Sequence, residues 1–204
     1  MIVDRPAPVA AESVRTRMAR HECLGVLAAH HTDEIVVAVF QAAFDWLALS
    51  PGDLNYTFIG AMGQASSHGL GLALAFPERR VIVLDGDGSL LMNLGCLVTI
   101  ANVAPRNLIH FVCNNGMYET TGGQPTPGRS LVSLSGMARS AGYPVVHEFE
   151  ELTEFEAAVP ALLSAEGPVF ADLKMVPGPH RAQNFSMFYS PERMKAFKKA
   201  VLAR

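Results

Sequence analysis

The chain has 204 residues, half of them hydrophobic and 17% charged, enough for one α/β domain with a sizeable core. A net charge of -3 leaves no basic footprint for nucleic acid or an anionic membrane, and no apolar run is long and clean enough to span a bilayer. Cys23, Cys96 and Cys113 are odd in number and far apart, which argues against a disulfide framework or a zinc site. They read as small buried residues in a reducing cytoplasm, and no secretory pattern is seen at the N-terminus.

Residues 1–12, "MIVDRPAPVAAE", read as a loose arm, and 13–204 as a single domain. From Ser13, a candidate N-cap, Val14, Met18, Leu24, Leu27 and Ala28 recur at helical spacing. "EIVVAVF" is a β-branched run typical of a strand buried on both faces, and "QAAFDWLAL" after it reads as helical. "GQASSHGLGLALAF" predicts a buried helix, "RRVIVLD" a strand and "LLMNLGCLVTIANVA" a helix. "NLIHFVCN" is a strand, "LVSLSGMARSAG" a helix, "PVVHEF" a strand, "ELTEFEAAVPALLSA" a helix and "GPVFADLKM" a strand. "SPERMKAFKKAVLAR" closes with a helix, Ser190 as N-cap and Pro191 at its first position. Five strands alternating with helices predict βαβ units and a doubly wound, mainly parallel sheet covered on both faces.

In such sheets ligands bind beyond the carboxyl ends of the strands. Two strand ends carry chemistry: Gly86-Asp87-Gly88-Ser89 and Asn114-Asn115-Gly116-Met117. Glycine on each side of Asp87 allows a sharp turn and a close ligand approach. The amides of a helix starting near Leu90 favour an anion such as phosphate, which Asp87 repels unless a cation lies between. Asp87, the Asn115 amide and the Met117 carbonyl together make an oxygen set suited to Mg2+ and a diphosphate. Taken singly, Gly-Asp-Gly is also an ordinary capped turn, and Asn-Asn-Gly also a hairpin or left-handed turn.

Taken together, Gly86-Asp87-Gly88, 25 residues and Asn114-Asn115 resemble the cofactor motif of the thiamine-diphosphate-dependent decarboxylase superfamily. The resemblance runs from about Glu34 to Lys174 and concerns the diphosphate-binding domain. It implies thiamine diphosphate held through Mg2+ on Asp87, Asn115 and the Met117 carbonyl. It also implies diphosphate on the Gly88–Ser89 amides beside Gly86. "FIGAMGQASSHG" resembles the turn that wedges the cofactor into a bent shape, with Met62 as the wedge and Gly60 and Ala61 beside it. The Gly60 carbonyl matches the one that accepts from the aminopyrimidine. "GAMGQAS" also invites a dinucleotide-fingerprint reading, which its glycine spacing and the lack of a clear preceding strand oppose. Gln41, on the same sheet edge, is placed to touch the diphosphate.

The pyrimidine-binding domain, whose glutamate activates the cofactor, has no room in 204 residues. The resemblance is therefore to split enzymes, the β subunit of sulfopyruvate decarboxylase and phosphonopyruvate decarboxylases, and "TTGGQPT" shares in it. It implies a separate α subunit carrying that glutamate, a hetero-oligomer with at least two copies of each chain, and decarboxylation of a small 2-oxo acid. A carboligase of the acetolactate-synthase kind and a non-catalytic cofactor-binding subunit are the alternatives. Met62, Tyr118 and Thr121 are expected at the catalytic centre. Thr121 stands where many relatives have glutamate, and with Thr120 and Gln124 it suits a substrate bearing a second anionic group. Glu119 has no role in this reading. His30 and His31 are expected at an exposed helix end, His68 as a buried, satisfied histidine, and His180 and Arg181 in a loop near substrate or partner.

Overall fold

Every residue of "IVVAV" is buried, and its side chains alternate between two apolar clusters on opposite faces of one sheet. Val36 and Ala38 face one cluster, Ile35, Val37 and Val39 the other. This computed structural model describes residues 18–58, 60–178 and 185–203. The arm, the Ser13 cap, His180 and Arg181 lie outside the described residues.

In chain order the elements begin with β1 (Met18–Ala19), α1 (Arg20–His30), β2 (Ile35–Val39), α2 (Phe40–Leu49), β3 (Asn55–Phe58) and α3 (Ala65–Ala75). Then come β4 (Val81–Gly86), α4 (Asp87–Leu91), α5 (Gly95–Val103), β5 (Leu108–Asn114), β6 (Met117–Tyr118) and β7 (Gln124–Pro125). The chain continues through α6 (Leu134–Ala141), β8 (Val145–Phe149), α7 (Leu152–Ser164), β9 (Val169–Val176) and α8 (Pro191–Leu202). The sheet runs β3-β2-β4-β5-β9-β8, with β1 extending the β8 side of β9, and every pair in it is parallel. Helices α1, α2 and α7 cover one face; α3, α5, α6 and α8 cover the other. Strand order reverses between β2 and β4, the switch point where a doubly wound sheet opens a crevice at its carboxyl edge.

Several expectations change. The sheet has two more strands than the five read from sequence, β3 and the two-residue β1. β3 is short and half polar ("NYTF"), and only its pairing with β2 declares it. Because β3 precedes the 60–63 turn, that turn does follow a strand; the glycine spacing is what still opposes a dinucleotide site. The helix expected near Leu90 begins at Asp87, stops at Leu91 and restarts at Gly95. The first helix starts at Arg20, because Met18 and Ala19 pair with β9. Helix α3 is only half buried, with Gly71 and Leu74 exposed. The three cysteines are buried and unbridged. Ser190 caps α8 through its hydroxyl, and Pro191 opens it.

His31 is mostly buried: its ring nitrogens meet the Ser50 hydroxyl (2.9 Å) and the Glu34 carbonyl (3.1 Å). His30 is exposed, as expected. His68 is exposed, not buried. Its Nδ1 lies 2.8 Å from the Gln64 carbonyl, and its ring packs on Tyr56 and Phe58.

Candidate functional site

A recess opens at the switch point, over the ends of β2, β4 and β5. Phe40, at φ +49°, turns the chain from β2 into α2 within a single residue. A bulky side chain in the left-handed region is strained, and such strain persists where surrounding packing enforces it. The turn delivers Gln41 to the recess wall, where it is 5% exposed.

Asp87 sits on the floor, 3% exposed, at the first position of α4. The Thr126 hydroxyl donates to its Oδ2 at 3.0 Å. Burial pushes its pKa up to about 6, against the pull of Thr126 and of nearby backbone amides, those of Gly88 and Asn115 among them. Neither flanking glycine has a positive φ. Gly86 is extended, and a Cβ there would meet open space. At Gly88 a Cβ would lie 2.5 Å from Tyr118 Cε1. Gly88 is therefore required by the Tyr118 ring, and Gly86 keeps the recess clear. The expected sharp glycine turn is corrected: strand passes directly into helix.

On the neighbouring strand, Asn114 and Asn115 part company. The Asn114 amide donates to Asp172 on β9 (2.9 Å). Asn115 reaches the recess, where its Oδ1 accepts from the Met117 amide at 2.8 Å and retains a second lone pair. Gly116, at φ +70°, makes the bend, and Met117 also lines the recess. Asn115-Gly116 is not a β5 hairpin: β6 pairs instead with β7.

The 60–63 turn forms a third wall. Gly60 and Gly63 have φ of +86° and +79°, open only to glycine at low cost. The Gly63 amide donates to Ser89 Oγ (3.0 Å), and the Asn93 amide donates to the Gly63 carbonyl (2.9 Å). These bonds hook the turn to α4 and to the link after it, and leave Met62 on the recess, while Gly60 and Ala61 lie outside its lining. Ser89, Tyr118 and Thr121 line it, the last from an exposed position in a short 3-10 turn, Glu119–Thr121.

Three contributors escaped the sequence reading. Thr126 belongs to "TTGGQPT", so a signal existed without an assigned role. Arg20 and Glu119 also line the recess, and no local pattern marks either one. The lining includes the acidic residues Asp87 and Glu119, and Asp85, which is fully buried with one oxygen 3.4 Å from His110 Nε2; its one guanidinium is already paired with Glu119 and Asp45. An anionic ligand needs a cation in such a place. Among the described residues no His/Cys/Asp/Glu group of three could hold a metal. Asp87, Asn115 and Met117 bring a carboxylate, an amide oxygen and a backbone segment to this recess, and oxygen chemistry of that kind fits Mg2+ shared with phosphate oxygens.

Residues 37–173 match the family model described as the thiamine pyrophosphate enzyme C-terminal TPP binding domain. The chain is 48% identical over 124 residues to sulfopyruvate decarboxylase subunit beta of Methanothermobacter thermautotrophicus, covering 61% of this chain and 63% of that one. It is 40% identical over 144 residues to phosphonopyruvate decarboxylase of Streptomyces viridochromogenes, covering 71% of this chain and 36% of the other. The chain thus matches about a third of that relative's length. Among solved structures, the thiamine diphosphate-dependent 4-hydroxybenzoylformate decarboxylase of Rhodococcus jostii superposes with a TM-score of 0.67 at 21% identity. That match covers 83% of this chain and 35% of the other, and speaks for the fold.

Proposed function

The chain belongs to the thiamine pyrophosphate enzymes, through their C-terminal TPP-binding domain, and from that premise we propose that it is the diphosphate-binding subunit of a split 2-oxo acid decarboxylase. The observation that carries the reading is the meeting of Asp87, Asn115 and Met117, from two neighbouring strand ends, on one recess at the switch point. Bound thiamine diphosphate supplies the electron sink for breaking the bond to the substrate carboxylate.

The chain's own residues bind and orient. Asp87, Asn115 Oδ1 and the Met117 carbonyl would hold Mg2+, and Thr126 orients the Asp87 carboxylate. Gly86 leaves room for the diphosphate beside the Gly88–Ser89 backbone, with Gln41 also lining the recess. Met62 supports the cofactor from the hooked turn, and Tyr118 closes over Gly88. Gly60 and Ala61, in the same turn but outside the recess lining, would serve the cofactor's pyrimidine end. A separate α subunit, bearing the pyrimidine-binding domain and an activating glutamate, completes the site. Hydroxyls at Thr120 and Thr121 favour a 2-oxo acid with a second anionic group, sulfonate or phosphonate.

The test reconstitutes this chain with its partner subunit. Carbon dioxide release from 3-sulfopyruvate, 3-phosphonopyruvate and pyruvate is measured with thiamine diphosphate and Mg2+. Faster release from either of the first two is expected. Acetolactate from pyruvate, without net preference for the anionic substrates, would move the reading to carboligation. Cofactor binding with no turnover of any 2-oxo acid would move it to a non-catalytic subunit.

A further inference from the structure

Arg20 and Glu119 are buried, line the recess and have no part in the roles above. Arg20 opens α1, and Glu119 lies two residues beyond Met117. Arg20 Nε donates to Asp45 Oδ2 on α2 at 2.7 Å, and its Nη1 donates to Glu119 Oε2 at 2.5 Å. The other Glu119 oxygen accepts from the Gly178 amide at 2.9 Å. One carboxylate thereby joins three segments remote in sequence: the start of α1, the loop carrying Met117 and Tyr118, and the chain leaving β9. Through Asp45 the same guanidinium reaches α2, whose first turn carries Gln41.

We propose that Arg20 and Glu119 form a latch that positions the Met117–Tyr118 loop, and with it the metal-facing carbonyl and the ring over Gly88. The inference rests on the Mg2+–thiamine diphosphate reading above. Net stability alone is a poor reason for the pair. Burying two charges carries a desolvation cost, and apolar replacements of similar volume are often as stable. What the pair supplies is geometry. A guanidinium presents donors in a rigid fork, so its two carboxylates, on two elements, are held at a set spacing. Other contacts hold the loop locally, through the pairing of β6 with β7 and the Met117 amide on Asn115 Oδ1; the bonds of Glu119 are what tie it to α1 and to the chain leaving β9. Burial works against the Arg20 charge, yet hydrogen bonding to Asp45 and the field of Glu119 raise its pKa overall, so the guanidinium stays charged.

Calorimetric titration of the full chain with thiamine diphosphate and Mg2+, paired with thermal unfolding of each variant, tests the latch. Glu119→Gln and Arg20→Lys are expected to weaken Mg2+-dependent binding by about tenfold or more, as loss of groups that orient metal ligands does. Asp45→Asn strips the charge from the guanidinium's other partner but leaves the loop contact. It is expected to lower Tm comparably while affinity stays within about twofold of the parent. Affinity falling in step with Tm across all three variants would reduce the pair to a structural role and overturn the latch. So would wild-type affinity in Glu119→Gln, or in Arg20→Lys should Glu119→Gln fail to fold. A parent chain that binds no cofactor would strike down the underlying reading first, and the latch with it.

Discussion

Asp87 carries two opposed demands: burial disfavours its ionised form, and the proposed Mg2+ role requires that form. Its folded pKa of about 6 lies above the ordinary 3.8. The protonated group is favoured in the folded state, so its contribution is full below about pH 4 and is lost as pH rises through 6. Asp87→Asn is therefore expected to raise the Tm of the metal-free chain at pH 8, to give no such gain at pH 4, and to abolish Mg2+-dependent cofactor binding. Thermal scans at both pH values with a titration at pH 8 check this; a lower Tm at pH 8 would contradict it. The glycines either side should separate packing from binding. Gly88→Ala drives a methyl into Tyr118 and should cost about 1–3 kcal/mol in urea unfolding. Gly86→Ala meets open space. It should leave Tm nearly unchanged and still weaken thiamine diphosphate binding. Motif residues such as Asp87 and Asn115 were legible because their spacing along the chain is informative. Thr126, Arg20 and Glu119 were not, because their partners lie 39, 25 and 59 or 99 positions away.

At the level of elements, apolar runs identified the central strands but not where helices break. The stretch after Gly88 is apolar enough for one long helix, yet it divides at Met92–Leu94. The Asn93 side chain is drawn off to the Gly63 carbonyl, a partner no local pattern reveals. Strand β3 was invisible for a related reason: four half-polar residues become a strand only beside β2. Close packing of α3 on β4 is equally non-local. A Cβ at Gly69 would lie 2.3 Å from Val83 Cγ2. Gly69→Ala should thus destabilise the chain by about 1–3 kcal/mol in urea unfolding, although alanine favours an isolated helix by about 1 kcal/mol. A stabilised variant would show that α3 stands further off than described.

For the molecule as a whole, half of the cofactor's surroundings are expected from another chain. Purified alone with thiamine diphosphate and Mg2+, this chain should bind the cofactor and release carbon dioxide from 2-oxo acids no faster than a protein-free control. Adding the α subunit should start turnover; robust turnover without it would refute the division of the site. Among the described residues no helix is long and apolar enough to cross a membrane. The amino-acid sequence by itself determined the alternation of buried strands and covering helices, and the two-part motif at the ends of β4 and β5. Both are written in local periodicity and spacing, which survive reading one segment at a time. Only the tertiary structure decided the strand order that places β2 beside β4, the hook from Asn93 to the Met62 turn, and the buried ion pair of Arg20 with Glu119. Those depend on which surfaces meet once the apolar faces are buried, a property of the packed chain rather than of any stretch within it.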